Sequence, residues 1–588
     1  MMKPLNNQRI LPRTTQTRTF GTRANKREKI FFTLIDLALI LLAAVLFTVS
    51  FPNPIFDHGL PFFAWFAFIP FLIVINKYDI LACAGWGAIY GFAAYSLFNY
   101  WMGNFHPLAA VITPSLFLLY LAAVFALLKL AVKLFPNHGY ILQWLIWIAF
   151  EFLRTQGFLG YSYGVIGYSQ WRVLPLIQIA SLTGVWGVSA LVAFPSFWIA
   201  GVLRENLTQK RQERKDLKLI FSFFASSASL RLCVSSSKYI LSAVIWLCAV
   251  IMTLIFGFIN MKDYSDHPTA RIALIQHNTD PWEASRAAHQ WQKIEAYQKD
   301  LSKLIRLSNE ALAGNEEKPQ LVVWPETAII PRIYWHTRYR ETQEAWIVVR
   351  DLIEYLSKQD VPFLIGNDDG RMDAMKNPNA QERNRVDYNA AMLFENGVNT
   401  AVYRKMHLVP FTEHFPYKKQ FPRFYKWLET QDTHFWEKGG EETIFNLENF
   451  SFASPICFED TFGYLPRNFV RRGADVLVNI SNDAWSKSLS AQNQHLSMAV
   501  FRSIENRRSM VRSTASGQTC AVDPSGRLMS VAPPFKEAWL NIAVPLEKTN
   551  TFYTNYGDLA GFFFIFAAIV LLLFGAARYI MRKLRSKG

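Results

Sequence analysis

The chain has 588 residues, of which 51% are hydrophobic, 15% aromatic and 18% charged, with a formal net charge of +16. That is too apolar for an ordinary soluble enzyme and too polar for a purely membranous protein, so two parts are expected. The basic excess does not read as nucleic-acid binding: Lys and Arg gather beside apolar runs, where anionic headgroups lie, and no aromatic-interleaved nucleic-acid motif appears.

Residues 1–29 form a basic N-terminal segment with Arg18, Arg23, Lys26, Arg27 and Lys29. Crossing a bilayer takes roughly 20 mainly apolar residues, and on that measure eight spans are expected near 30–50, 59–76, 80–102, 107–131, 139–156, 177–202, 239–259 and 558–581. Seven of them make a membrane domain over 30–260. The fifth, "YILQWLIWIAFEFLRTQ", is short and carries Glu151 and Arg154 one helical turn apart, so it reads either as a span or as a helix at the interface. The first run is too long for a signal peptide and lacks a small-residue cleavage site, so it is expected to stay as an anchor.

Three basic clusters set the orientation, because Lys and Arg in short loops are retained on the cytoplasmic side. They are the N-terminus, the loop with Arg204, Lys210, Arg211, Arg214, Lys215 and Lys218, and the tail over 582–588 with Arg578 just before it. An even number of spans satisfies all three and puts residues 261–550 on the outer face. The stretch "FSFFASSASLRLCVSSS" (221–237) reads as a disordered loop or an amphipathic surface segment, and no function is assigned to it.

Residues 261–550 have the composition of a soluble domain, large enough for a sizeable core. Strand-like runs at 271–276, 320–325, 362–367, 388–395, 451–457, 474–480 and 538–544 are interleaved with helical patterns at 283–313, 342–359, 464–472 and 491–507. This is an α/β pattern with layered sheets.

The five cysteines, at 83, 233, 248, 457 and 520, form no CxxC pair and no even framework, so neither a zinc site nor a disulfide scaffold is suggested. Cys457 in "SPICFEDTF" is different, since a lone thiol on an exported domain is a liability unless it is used or well buried. Two other strand ends carry reactive groups: Glu326 in "VVWPETAI" and Lys405 in "YRKMHLVPFTEHFP". Each alone has an ordinary reading, as a turn cap, a solvated edge lysine or a core cysteine. Converged, they supply a base, a cation for an oxyanion and a nucleophile, the parts needed for acyl transfer.

These motifs, in this chain order, resemble the Glu-Lys-Cys nitrilase superfamily. With the flanking spans, "VNISNDAW", the run from Gln492 to Arg527 and "GYSQWRVLPLIQIASLTGVWGVS" (167–189), the chain is similar to the superfamily's membrane-embedded apolipoprotein N-acyltransferase branch. The resemblance implies an αββα sandwich on the periplasmic side of a bacterial inner membrane, a monomer, and no cofactor or metal. It implies Glu326 as general base, Lys405 as oxyanion-stabilising cation and Cys457 as nucleophile. Glu413 and Glu459 match further active-site glutamates, and Trp282 and Phe458 match substrate-contacting positions. Two departures stand out: Phe458 replaces the family's usual tyrosine, and "NDAWSKSLS" lacks the Phe-Gly that commonly follows the tryptophan.

The implied reaction is ping-pong. Cys457 takes an acyl chain from a phospholipid, phosphatidylethanolamine by preference, and the N-terminal amine of a diacylglyceryl-cysteine apolipoprotein discharges the thioester. The outer loops at 51–58 and 157–176 are candidates to shape the mouth. The alternatives are a membrane-anchored amidase acting on a small substrate and a non-catalytic membrane scaffold.

Overall fold

The computed structural model describes residues 22–105, 107–213, 237–279, 289–313, 317–339, 343–372, 385–430 and 435–586. Among them, six helices are long and apolar enough to cross a membrane: Glu28–Ser50, Ile80–Phe98, Ala109–Leu134, Val185–Asn206, Tyr239–Asn260 and Leu559–Arg585. They fall on six of the eight expected spans. The other two coincide with shorter apolar stretches. Pro61–Lys77 is interrupted between a 3-10 turn, Pro61–Trp65, and a helix, Ile69–Lys77. Gly139–Leu153 has 15 residues, which at about 1.5 Å per residue fall well short of a hydrocarbon core of about 30 Å. Most of its side chains are buried, and it packs against the helices at Ala109–Leu134, Val185–Glu213 and Leu559–Arg585. It is thus an inner element of the bundle, not a helix lying on its surface.

The expected span at 177–202 is broken near its start. Short helices at Leu174–Ile177 and Ala180–Thr183 end at Gly184, whose φ of 62° admits glycine readily, and the long helix begins at Val185. A Cβ on Gly184 would also lie 2.8 Å from the Tyr553 ring.

Glu151 and Arg154 have a task within this bundle. Glu151 Oε1 accepts the Ile166 N–H (3.0 Å) and the Trp147 indole N–H (3.2 Å), while Arg154 Nη1 donates to the carbonyls of Tyr161 and Tyr163 (2.9 Å each). One helix end therefore pins the 160–168 loop. Tyr163 in turn sits with its ring 5.6 Å from Trp101 and 6.3 Å from His495.

The second part is a pair of six-stranded sheets. In the first, β1 (Thr269–Gln276), β2 (Leu321–Val323) and β3 (Phe363–Met372) are parallel. Antiparallel strands flank them: β4 (Arg385–Glu395) and β5 (Val398–Arg404) on one side, β12 (Ala538–Pro545) on the other. The second sheet repeats the plan, with β7 (Ser451–Ala453), β8 (Val476–Ser481) and β9 (Ser509–Thr514) parallel. Its antiparallel flanks are β6 (Phe445–Asn446), β10 (Cys520–Val522) and β11 (Leu528–Val531). β5, β6, β9, β10 and β11 lie outside the strand-like runs read from the sequence.

Alternation along each strand builds the layers. Ile272, Leu274, Val323, Leu364 and Leu393 share a core with the second sheet, whereas Ala273, Ile275, Val322, Ile365 and Met392 face the helices Gln290–Ala313 and Gln343–Leu356. Ser513 Oγ donates to the carbonyls of Ile275 (2.9 Å) and Val323 (3.1 Å), tying sheet to sheet. Helices Tyr464–Arg471 and Leu489–Asn506 cover the second sheet, completing the expected αββα sandwich. Every residue from Ser490 to Asn506 is buried, because this helix also meets the membrane part. Asn493 Nδ2 donates to the Asp57 carbonyl (2.7 Å), Gln494 Nε2 to that of Pro52 (2.8 Å), and Trp101 Nε1 to Gln494 Oε1 (3.0 Å).

Candidate active site

Glu326 follows β2 on a Trp-Pro step and is 6% exposed. Its chain segment crosses β3 closely, since a Cβ on Gly366 would lie 2.6 Å from the Glu326 Cα. Oε1 accepts from Asn389 Nδ2 (2.8 Å) and Lys405 Nζ (3.2 Å), and Oε2 accepts the Asn482 N–H (2.9 Å). Lys405 comes directly after β5 and is fully buried. Its N–H donates to the Asn389 carbonyl (2.8 Å), so Asn389 registers both groups at once. Nζ also donates to Glu413 Oε1 (2.9 Å), while Glu413 Oε2 accepts the Val409 N–H (2.9 Å).

The expected strand 451–457 ends early. β7 stops at Ala453, Ile456 forms an isolated bridge with Ile480, and Cys457 opens a 3-10 turn, Cys457–Thr461, with φ of 50°. A left-handed cysteine costs of order 1–3 kcal/mol and persists only where its surroundings over-determine it. Here they do. Asn479 Nδ2 donates to the carbonyls of Pro455 (3.1 Å) and Cys457 (3.3 Å), and His495 Nε2 lies 3.3 Å from the Cys457 carbonyl. The thiol is half-buried.

Glu459 joins the two halves of the site. Its carboxylate accepts the Ile456 N–H (2.8 Å), just before Cys457, and the N–H groups of Met406 (2.7 Å) and His407 (2.9 Å), just after Lys405, together with the Tyr403 hydroxyl (2.8 Å). Phe458 is 8% exposed. Its ring meets Phe462 edge-on at 4.9 Å and His407 at 5.9 Å, so it forms a wall behind the turn. Trp282 lies outside the described residues. Phe158, from the 157–176 loop, packs on Phe411, His414 and Tyr417.

The electrostatics follow from burial. Burial alone would strip Lys405 of its proton, but Glu326 and then Glu413 override it and hold the ammonium well above its ordinary range. Burial raises Glu413, with Lys405 opposing. Burial, and then the Glu326 charge, push the Cys457 thiol well up, with Lys405 pulling the other way. The Cys457 thiol thus lies within the field of both the Glu326 carboxylate and the Lys405 ammonium.

Sequence reasoning did not single out Asn389, Asn479, Asn482 or a buried ionic cluster beside the turn. There His495 lies between Asp460 (2.8 Å) and Asp483 (3.1 Å), with Arg512 paired to Asp460. Asn389 meets Glu326 and Lys405 in space only, whereas Asn479 and Asn482 lie within the quoted "VNISNDAW" run, which marks the stretch but not their contacts.

Residues 43–198 match the family described as the apolipoprotein N-acyltransferase N-terminal domain, and residues 271–553 match the carbon-nitrogen hydrolase family. The chain is 42% identical to apolipoprotein N-acyltransferase 1 of Treponema denticola, covering 93% of this chain and 97% of the relative. It is 43% identical to apolipoprotein N-acyltransferase 1 of Treponema pallidum, covering 93% and 96%. A relative from Geobacter metallireducens, apolipoprotein N-acyltransferase, is 30% identical over 89% of this chain and 92% of its own. At that identity and coverage, this chain belongs to the apolipoprotein N-acyltransferase family.

Proposed function

We propose that this protein N-acylates diacylglyceryl-cysteine apolipoproteins through an acyl thioester on Cys457. The observation that carries the reading is a fully buried ammonium, Lys405, held between two carboxylates beside a cysteine on a left-handed turn, in a domain bonded directly to membrane helices.

In the first half-reaction Glu326 takes the thiol proton as Sγ attacks the sn-1 ester carbonyl of a phospholipid, phosphatidylethanolamine in this reading. Lys405, with the N–H of Phe458 that follows the nucleophile, stabilises the oxyanion. Collapse breaks the ester C–O bond, and the departing alkoxide takes the proton from Glu326 and leaves as lysophospholipid. In the second half the apolipoprotein amine attacks the thioester, Glu326 removes the amine proton, and the thiolate leaves and is reprotonated. Glu326 is therefore neutral for part of each half-reaction, and Glu413 keeps Lys405 charged throughout. Every reacting group comes from one chain, so a monomer suffices.

The three basic clusters support a periplasmic location for the catalytic domain. The membrane-anchored amidase shares the triad, but the family match over residues 43–198 favours the lipid reaction over a small soluble substrate. The test is to incubate purified protein with labelled phospholipid and then add a diacylated lipopeptide. The reading expects a thioester that the lipopeptide discharges with gain of one amide-linked acyl chain. A protein that forms no thioester from lipid, yet hydrolyses small amides, would be the amidase.

A further inference from the structure

Four ionisable side chains lie together beside the Cys457 turn: Asp460 from the turn itself, Asp483 after β8, His495 from the buried helix and Arg512 from β9. Each is less than a tenth exposed. Both imidazole nitrogens face carboxylates, Nε2 at 2.8 Å from Asp460 Oδ1 and Nδ1 at 3.1 Å from Asp483 Oδ1. Arg512 Nη2 also approaches Nδ1, at 3.3 Å, but the shorter contact of each ring nitrogen is to a carboxylate oxygen, which only accepts, so the arrangement favours a proton on both. Two cations and two anions then balance, as burial demands. Arg512 completes the set, paired with Asp460 Oδ2 and 3.6 Å from Asp483 Oδ2.

Nε2 also lies 3.3 Å from the Cys457 carbonyl. The imidazolium thus grips the turn at two points, the Asp460 side chain and the nucleophile's own backbone. We infer that His495, fixed as an imidazolium between Asp460 and Asp483, is a positioning residue that holds the left-handed Cys457 turn in its attacking geometry. The inference rests on the proposed thioester chemistry and adds a part that does not touch substrate. The energetics agree: burial alone would lower the His495 pKa, but Asp460 and then Asp483, against Arg512, lift it to about 9.

The test uses the full-length protein and single-turnover acylation by phosphatidylethanolamine vesicles, with rate per folded molecule and half-saturating lipid measured separately. His495→Gln removes the cation and leaves a buried net negative charge. The double variant His495→Gln/Asp483→Asn removes one charge of each sign, so it remains balanced, and its amides can still pair and donate toward the turn. His495→Gln should lower the maximal rate on the order of 10²-fold, the effect of misplacing a reacting group by about 1 Å, with half-saturation within threefold of the parent. The double variant should recover at least about tenfold of that loss. Should His495→Gln not be recovered folded, the double variant still runs about tenfold below the parent at unchanged half-saturation. A maximal rate equal to the parent's in every folded variant, or a loss confined to half-saturation, overturns the inference. A parent that is not acylated at all overturns the thioester reading beneath it, so the two failures are distinct.

Discussion

Replacing Glu459 by glutamine puts one amide where a single carboxylate serves four donors. If the retained oxygen keeps the Met406 and His407 N–H groups and the Tyr403 hydroxyl, the new NH2 points at the Ile456 N–H, now 2.8 Å from an acceptor. That N–H becomes a buried donor facing a donor, at about 1–3 kcal/mol. The three surviving bonds lose their charge assistance, but the variant is also spared the burial of a charge, so the net cost stays at about 1–3 kcal/mol. At about 2–4 °C per kcal/mol for a large domain, the apparent melting temperature should fall by roughly 5 °C. The damaged bond is the one adjacent to Cys457, so the acylation rate per folded molecule should drop on the order of 10²-fold. Burial lifts the Glu459 carboxyl to about 7, against the Ile456 and His407 N–H groups, Lys405 and Tyr403. The parent's acylation rate should therefore rise with pH through about 7 as the carboxylate forms, a rise the glutamine variant lacks. Stability runs the other way: with the folded value raised from 4.5, the contribution of this group is full below that value and is lost as pH rises toward about 7. The assay is single-turnover thioester formation between pH 5 and 9 with thermal unfolding alongside. A glutamine variant within threefold of the parent at pH 8, or one that keeps the pH rise, would refute the clamp.

Lys405→Arg keeps the charge but exchanges a compact ammonium for a planar guanidinium in a fully buried slot set by contacts of 2.9 and 3.2 Å. It should acylate at least about a hundredfold more slowly than the parent, with Lys405→Ala no better, as measured at saturating phospholipid; an arginine variant within a few-fold would reduce Lys405 to general electrostatics. For topology, a reporter active only outside the cytoplasm should be active when fused after Asp263 and silent when fused after Lys587. The reverse pattern, or activity at both junctions, would invert the proposed orientation.

The parts legible in the sequence were those with a one-dimensional signal. Long apolar runs marked six membrane helices, and strand-end motifs marked Glu326, Lys405 and Cys457, which the fold brings together. β9 was not legible, because Arg512 and Ser513 point from it into buried polar partners and break the hydrophobic alternation. The helix Leu489–Asn506 is buried on all sides yet rich in Gln, Asn and Ser, since those side chains satisfy carbonyls of the membrane part. The break at Gly184 and the inner placement of the helix Gly139–Leu153, whose shortness the sequence did show, were hidden for the opposite reason: composition is apolar throughout, and only packing decides where such a helix stops and sits. The φ of 50° at Cys457 and the His495 cluster arise from contacts between residues far apart in the chain, which spacing along it does not report.

The most direct measurement is the intact mass of the purified protein after incubation with phosphatidylethanolamine of defined acyl chains. The parent and Cys520→Ser, whose cysteine is buried within β10, should each gain the mass of one acyl group, removable by neutral hydroxylamine. Cys457→Ser should gain nothing. Acylation of Cys457→Ser at the parent's rate, or a parent that stays unmodified while still acylating lipopeptide, would contradict a thioester on Cys457.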